Sequence, residues 1–326
     1  MGAIWQGACA ATTGAAPLPT SPSASTPIAP APGGTSLLVG YAAGGSVDLV
    51  ARTLAPALGS TTGRTMSVVN IAGASGAIAA AQLALAPADG STLMIGTPSE
   101  VGLSHLLRRH FRFDPLVDTT PVALIGRQPL VWVTSARAAP TSIAAWAAFA
   151  ARAGRPLRYG TSGVGTPLHL AGETLRLRTG LPLQHVPYRG AGPVLQDLHT
   201  EALDMAVLVL SSALPMIRDG RLRALGLTQA TPAAAAPGIA PLATLPGLEG
   251  LDLAIWFGLL APPRFPAALA TQWRQATRSA LALPALLQRL TDAGLALEPE
   301  RDFAAFLRDE VTRYRKLVEA AGMMPG

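Results

Sequence analysis

Short runs of apolar residues alternate with stretches of helical periodicity along most of the chain. Residues 36–41 (SLLVGY) read as a buried strand that enters a Gly-Gly turn and then an amphipathic helix over 47–58. The plan repeats with a strand at 66–70, a turn at Gly73–Gly76 and a helix ending near Ala86, then a strand at 92–96. A second block starts at 130–134 (LVWVT) and continues with a helix at 143–153, a strand at 158–159 and a Gly-rich loop at 160–166. Helices at 168–179 and 193–199 and strands at 184–186, 203–209 and 223–228 follow, and 230–247 reads as a surface connection. A buried strand at 255–261 and helices at 266–282 and 302–321 close the chain. Such alternation predicts an α/β fold of mostly parallel sheets flanked by helices. Two blocks on one plan, joined by the apolar crossovers 130–134 and 255–260, suggest a clamshell. Lobe 1 is 36–132 plus 251–326, lobe 2 is 133–250, and residues 1–35, of Ala, Pro, Ser, Thr and Gly, read as a disordered leader.

Composition narrows the picture. Of 326 residues 49% are hydrophobic and 13% charged, enough for two large cores and too apolar for global disorder. Net charge is +6, carried almost wholly by arginine, with Lys316 the sole lysine. The arginines are scattered, and their tightest group (Arg108, Arg109, Arg112) is small, which argues against nucleic acid as a partner. Cys9 is the only cysteine, so no intramolecular disulfide forms. Its setting, MGAIWQGACA, has the outline of a lipoprotein signal, but Gln6 stands where an aliphatic residue is wanted and no basic start precedes it; an incidental cysteine in a leader fits as well. Uninterrupted apolar stretches fall short of the ~18–20 residues that span a bilayer.

Two Gly-rich turns carry the candidate chemistry. In the first, Tyr41-Ala42-Ala43-Gly44-Gly45-Ser46-Val47-Asp48, adjacent glycines let the backbone approach a ligand, Ser46 is placed to cap the helix, and Asp48 suits the positive end of the dipole. The N–H groups of that first helical turn could hold a carboxylate, although an ordinary strand-to-helix turn explains the motif too. In the second, Thr161-Ser162-Gly163-Val164-Gly165-Thr166-Pro167-Leu168-His169, Pro167 fits the first helical turn with Thr166 as its cap, and Ser162 and Thr166 could add donors. His169 reads as a packed residue bonded to loop backbone rather than a metal ligand. Enzyme motifs fail: Val164 breaks the nucleophile elbow, no phosphate loop exists, Gly73–Gly76 lacks the first glycine of a dinucleotide fingerprint, and His169 with Glu173 makes no zinc pattern. No catalytic residue, metal or cofactor is expected.

Six stretches in order resemble the receptor of tripartite tricarboxylate transporters, the Bug-type solute-binding proteins. They are LVGYAAGGSVDLVARTLAPAL (38–58), PADGSTLMIGT (87–97), LRYGTSGVGTPLHLAGE (157–173), HVPYRGAGPVLQDL (185–198), LPMIRDGRLRALGLT (214–228) and WFGLLAPP (256–263). The resemblance implies a two-lobed type II periplasmic binding-protein fold, a periplasmic location, a monomer, and a small organic acid held by main-chain amides of both lobes. It points to Tyr41, Ala42, Ala43, Gly44, Gly45, Ser46 and Asp48 on one lobe and Thr161, Ser162, Gly163, Gly165, Thr166 and His169 on the other. Thr97 and Ser99, and Tyr188, Arg189 and Gly190, are implied as further walls. The implied partner is a membrane permease, or a sensor kinase if the receptor reports occupancy instead; a serine hydrolase using Ser162 and His169 is the remaining alternative. Departures from the family's usual pattern include Gly40 in place of a proline, tyrosine at 41 where phenylalanine is commoner, and Asn70-Ile71-Ala72-Gly73-Ala74-Ser75-Gly76 in place of Asn-Arg-Pro-Gly-Ala-Gly-Gly. From the first turn alone, Gly45→Val is expected to abolish carboxylate binding while the fold persists; calorimetry of the variant with undiminished affinity would remove this turn from the site.

Overall fold

The computed structural model describes residues 33–107 and 113–323. Cys9, the leader up to residue 32, and the cluster Arg108, Arg109 and Arg112 lie outside them. Strand β1 (Gly34–Val39), fully buried, is flanked by β2 (Thr65–Asn70) and β3 (Thr92–Gly96), both parallel to it. Helices α1 (Ser46–Thr62) and α2 (Ala77–Leu85) make the connections. Val50, Leu54 and Leu58 of α1 pack with Leu37 and Val39 of β1 and with Leu93 and Ile95 of β3, all completely buried. That spacing of three to four residues is the apolar stripe the sequence displayed.

After a wide helical turn, Ser99–Leu103, and the short α3 (Ser104–Leu107), the chain enters the longest strand, β4 (Thr120–Ser135). The sequence pattern placed a strand only at 130–134. Pro121, Gly126 and Pro129 obscure the first half, because proline in a strand signals an edge or a break. Register shifts at Pro121/Ala123 and Leu124/Gly126 absorb the irregularity.

Helix α4 (Ile143–Ala153) leads to a second parallel unit. Strand β5 (Leu157–Thr161) is flanked by β6 (Leu183–Pro187) and β7 (Met205–Val209), with helices α5 (Pro167–Thr179) and α6 (Ala191–His199) between them. Strand β5 extends over Gly160 and Thr161, which the sequence pattern assigned to the loop. Helix α7 (Leu210–Arg218), which follows β7 directly and contains Pro215, gave no separate signal. Strands β8 (Leu222–Leu227) and β9 (Ala254–Ala261) follow. Last come α8 (Ala267–Leu281), α9 (Pro284–Asp292), the two-residue β10 (Ala296–Leu297) and α10 (Phe303–Ala320).

The strand order is β2-β1-β3-β9-β4-β7-β5-β6, with β8 and β10 pairing β4. The α/β class stands, and the sheet is mixed: among the described strands every antiparallel pairing involves β4 or β9. Strand β4 is the structural axis. Residues 120–129 pair with β9, and residues 130–135 pair with β7 and β8. Each parallel unit thus hangs from one half of a single strand, and both present the carboxyl ends of their strands, with the helix starts that follow, to the space between them.

Close packing leaves no room for a methyl group at several glycines. A Cβ on Gly258 of β9 would lie 2.1 Å from Cζ of Phe303, whose ring meets Trp256 edge-on at 5.6 Å. Gly258→Ala is therefore expected to destabilise the fold by about 1–3 kcal/mol through overpacking, read as a lower urea midpoint; an unchanged midpoint would show that Phe303 moves freely.

Candidate functional site

A cavity of about 290 Å³ lies between the two halves. Its first wall is the turn after β1 and the start of α1, Tyr41 to Val47. The opposite wall combines Ser162, Leu168, Arg189 to Pro193, Leu208, Val209 and Ser212, and Ser99 and Ile255 complete it.

The first turn is built around a buried acid. Asp48 Oδ2 accepts the N–H of Gly44 at 2.9 Å, both carboxylate oxygens accept Arg52 Nε at 2.9–3.0 Å, and Asn70 Nδ2 donates to Oδ1 at 3.0 Å. Asn70 Nδ2 also donates to the Tyr41 carbonyl at 3.0 Å, which ties the turn to β2. Burial opposes the Asp48 charge, but the bonds from Arg52, Gly44 and Asn70 outweigh it and hold the carboxyl below the usual range. Asp48 is therefore a brace behind the turn and does not line the cavity. It also occupies the Gly44 N–H.

Ser46 is the first residue of α1, not its cap. The N-cap is Gly45, which has no side chain to accept from the helix, and the first backbone bond runs from Leu49 N to Gly45 O at 2.9 Å. Helix geometry leaves the N–H groups of Ser46 and Val47 without an intrahelical acceptor. Two further helix starts on the cavity share this property: α6, with Gly190 as N-cap, and α7, with Val209, have no side-chain cap. Each adds the positive end of a helix dipole.

The second loop is rigid, and most of its polar groups are engaged within it. Thr166 caps α5: its Oγ1 accepts His169 N at 3.2 Å and donates to Gly163 O at 2.9 Å. Thr161 Oγ1 donates to the same carbonyl at 3.2 Å and lies 2.7 Å from His185 Nε2. Gly165 N donates to His169 Nδ1 at 3.3 Å, so the ring carries its proton on Nε2. The imidazoles of His169 and His185 stack at 4.0 Å. Burial pushes both rings down in pKa, and His169 helps hold His185 at about 4. His169 is the packed, backbone-bonded residue its position predicts. Thr161, Gly163, Gly165, Thr166 and His169 shape the loop, and Ser162 alone of that group reaches the cavity. Tyr188 does not line it either: its hydroxyl donates to Asp197.

Arg189 is the only charged residue on the wall and has no hydrogen-bond or ion-pair partner among the described residues. Gly190, implied with Arg189 as a wall, does line the cavity; sequence reasoning missed Val47, Leu168, Ala191 to Pro193, Leu208, Val209, Ser212 and Ile255. Their signal was present as positions beside the carboxyl ends of strands, but apolar side chains there look like ordinary core.

Beneath Tyr41 lies a second buried acid. Glu100 is completely buried, accepts a hydrogen bond from Thr97 through Oε2, and has no partner at Oε1. Thr97, itself fully buried, serves Glu100 rather than the cavity. Burial pushes the Glu100 carboxyl up to about 8, the Thr97 bond notwithstanding. Burial, then Glu100, raises the Tyr41 phenol.

Comparison with known proteins agrees with this geometry. The profile described as tripartite tricarboxylate transporter family receptor matches residues 50–323. The chain belongs to that receptor family. BugT of Bordetella pertussis is 29% identical over 292 residues, covering 88% of each chain. Among solved structures, Rpa4515 of R. palustris with adipate superposes with a TM-score of 0.84 at 30% identity, covering 90% of this chain and 98% of that one. MatC of Rhodopseudomonas palustris with bound malate gives 0.81 at 26% identity, with 87% and 98% covered. The receptor family is one of periplasmic solute-binding proteins, and no described helix of this member is long and apolar enough to cross a membrane.

The Glu100 proton links stability to pH. In the unfolded receptor the carboxyl ionises near 4.5, and in the folded one near 8. The folded state holds the extra proton within that window, so the Glu100 contribution to stability is whole below 4.5 and is lost as pH rises through 8. Glu100→Gln should match wild type near pH 4.5 and exceed it at pH 8.5 by a margin on the order of a few kcal/mol. Thermal melts of both proteins across that range check this; parallel curves would mean that Glu100 is ionised in the fold.

Proposed function

We propose that this receptor captures a small dicarboxylate with an apolar middle and delivers it to the membrane permease of a tripartite tricarboxylate transporter. The observation that carries the reading is the distribution of charge on the cavity wall. One end offers the unpaired N–H groups of Ser46 and Val47 at the start of α1. The other offers Arg189 and the start of α6. Val47, Leu168, Leu208 and Ile255 contribute apolar wall, and among the described residues no acid lines it to repel an anion. Adipate in Rpa4515 and malate in MatC, both dicarboxylates on the same fold, support the assignment.

In this mechanism one ligand carboxylate docks on the α1 turn, with Tyr41, Ala42, Ala43, Gly45 and Ser99 around it. The unit formed by 133–250 then closes on that formed by 36–132 and 251–326, bringing Ser162, Arg189 and Ser212 to the far end. The hinge lies where β4 and β9 pass between the units, because only a few residues there need change their dihedrals. Main-chain N–H groups suit reversible capture, since they are fixed in place and carry no counter-ion. A receptor is favoured over a serine hydrolase because His169 stacks on His185 and accepts the Gly165 N–H, and no hydrogen bond joins it to Ser162.

Titration calorimetry with adipate, malate and hexanoate tests the proposal. Adipate should bind more tightly than hexanoate, which lacks the second carboxylate. Arg189→Gln should weaken adipate about fivefold to tenfold, a modest factor because the guanidinium is exposed at the rim, and leave hexanoate unchanged. Equal affinities of wild type for adipate and hexanoate would overturn the dicarboxylate reading.

A further inference from the structure

The turn after β2 contains a feature that ligand capture by itself does not require. Ala74 and Ser75 both adopt positive φ, 49° and 55°. Non-glycine residues seldom do so, and such a conformation persists where its surroundings impose it. Ser75 stands where the family's usual turn has glycine, so a side chain occupies a position whose backbone favours none.

That side chain reaches across the cleft. Ser75 Oγ donates to the carbonyl of Val164 at 2.8 Å, linking the turn after β2 to the tip of the second loop, 89 residues away. Two glycines permit the approach. A Cβ on Gly163 would lie 3.0 Å from Ser75 Oγ, and one on Gly165 would lie 2.9 Å from Cδ1 of Leu107 in α3. Both glycines take φ values in the left-handed range, 148° and 72°. The turn also touches the cleft wall: the Tyr41 hydroxyl donates to the Ser75 carbonyl at 3.4 Å. Below it, Gly76 sits directly against Glu100, whose Cγ lies 2.4 Å from where a Cβ would be.

We infer that Ser75 is a latch: its hydroxyl, bonded to Val164 O, holds the two halves together over the cleft and slows ligand release. The inference rests on the dicarboxylate-receptor reading for its ligand but not for the contact itself. Tyr41 connects the two functions, because it lines the cavity with its ring and supports the latch turn with its hydroxyl. Val164, half-exposed at the loop tip, contributes through its carbonyl, so the contact depends on the hydroxyl of Ser75 and not on the Val164 side chain.

Two substitutions separate the hydroxyl from the strain. Ser75→Gly removes the hydroxyl and relieves the positive φ; Ser75→Ala removes the hydroxyl and retains the strain. Each is made in the full chain on a Cys9→Ser background carrying spin labels at Leu85→Cys on α2 and Gln196→Cys on α6. In the ligand-free protein the ratio of the short-distance to the long-distance population should fall about fivefold in both variants, the equivalent of one hydrogen bond. Adipate dissociation, followed by stopped flow, should be about fivefold faster in both, while Ser75→Gly melts no lower than wild type. Label distances and dissociation rates equal to wild type in both variants would overturn the latch, as would an effect confined to one of them, which would trace to backbone strain. If none of the three proteins binds adipate, the ligand reading fails and the label distances alone decide the latch: a shared loss of the short distance supports it, and identical distributions dismiss it.

Discussion

The site depends on where Asp48 directs its carboxylate. An acid in the first turn of a helix ordinarily neutralises the local dipole or folds back on the free amides of that turn. Here Arg52 and Asn70 draw it to the rear, and the one amide it accepts is that of Gly44, before the helix begins. The turn is held rigid and the N–H groups beyond it remain open. Had Gly45 been a serine or aspartate, its side chain would have capped α1 and closed the same site from within. Rigidity supplied from behind and a cap lacking in front are thus two parts of one arrangement.

Convergence of helix starts follows from topology rather than from any single motif. In each parallel unit the chain leaves the carboxyl end of a strand and enters a helix, and β4 hangs both units with those ends facing one another. Placing ligands there is a general property of open α/β sheets. What distinguishes this cleft is that α1, α6 and α7 lack side-chain caps, while α5, whose loop must hold its shape, is capped by Thr166. The wall proposed to bind is left uncapped, and the loop that presents Ser162 is satisfied internally.

Much of this was legible in the sequence. Adjacent glycines before Ser46 announced a turn that a ligand can approach, Thr166-Pro167 announced a capped helix, and the apolar periodicity of α1 placed its buried face. Other features were hidden for physical reasons. Pro121 and Pro129 disguise the strand on which both halves hang. Asp48 and Thr166 are polar and adjacent to the site, so sequence position could not distinguish bracing from binding; that depends on Asn70, which only the fold brings near, and on the local turns that set Arg52 beside Asp48 and Gly163 beside Thr166. Glu100 gave no signal, because nothing in its neighbours announces that Gly40 and Gly76 pack against it. Ser75 read as a departure from a glycine pattern, and the residue it reaches lies 89 positions along the chain.

Glu100 and the histidine pair share a consequence for the cleft. A charged carboxylate beside Gly40 and Tyr41, where the α1 turn begins, would act through a medium of low dielectric, where Coulomb energies between full charges reach several kcal/mol. It would cancel the partial positive charge of the helix start, about half an elementary charge. Burial keeps the Glu100 carboxyl protonated at neutral pH instead. On the other half, burial lowers the pKa of both His169 and His185 and so disfavours a positive charge on the second loop. Among the described residues Arg189 then stands as the sole formal charge on the wall. The potential of the cleft is set by fixed backbone dipoles and one exposed guanidinium, and the ionisable groups packed behind them contribute shape without opposing the field.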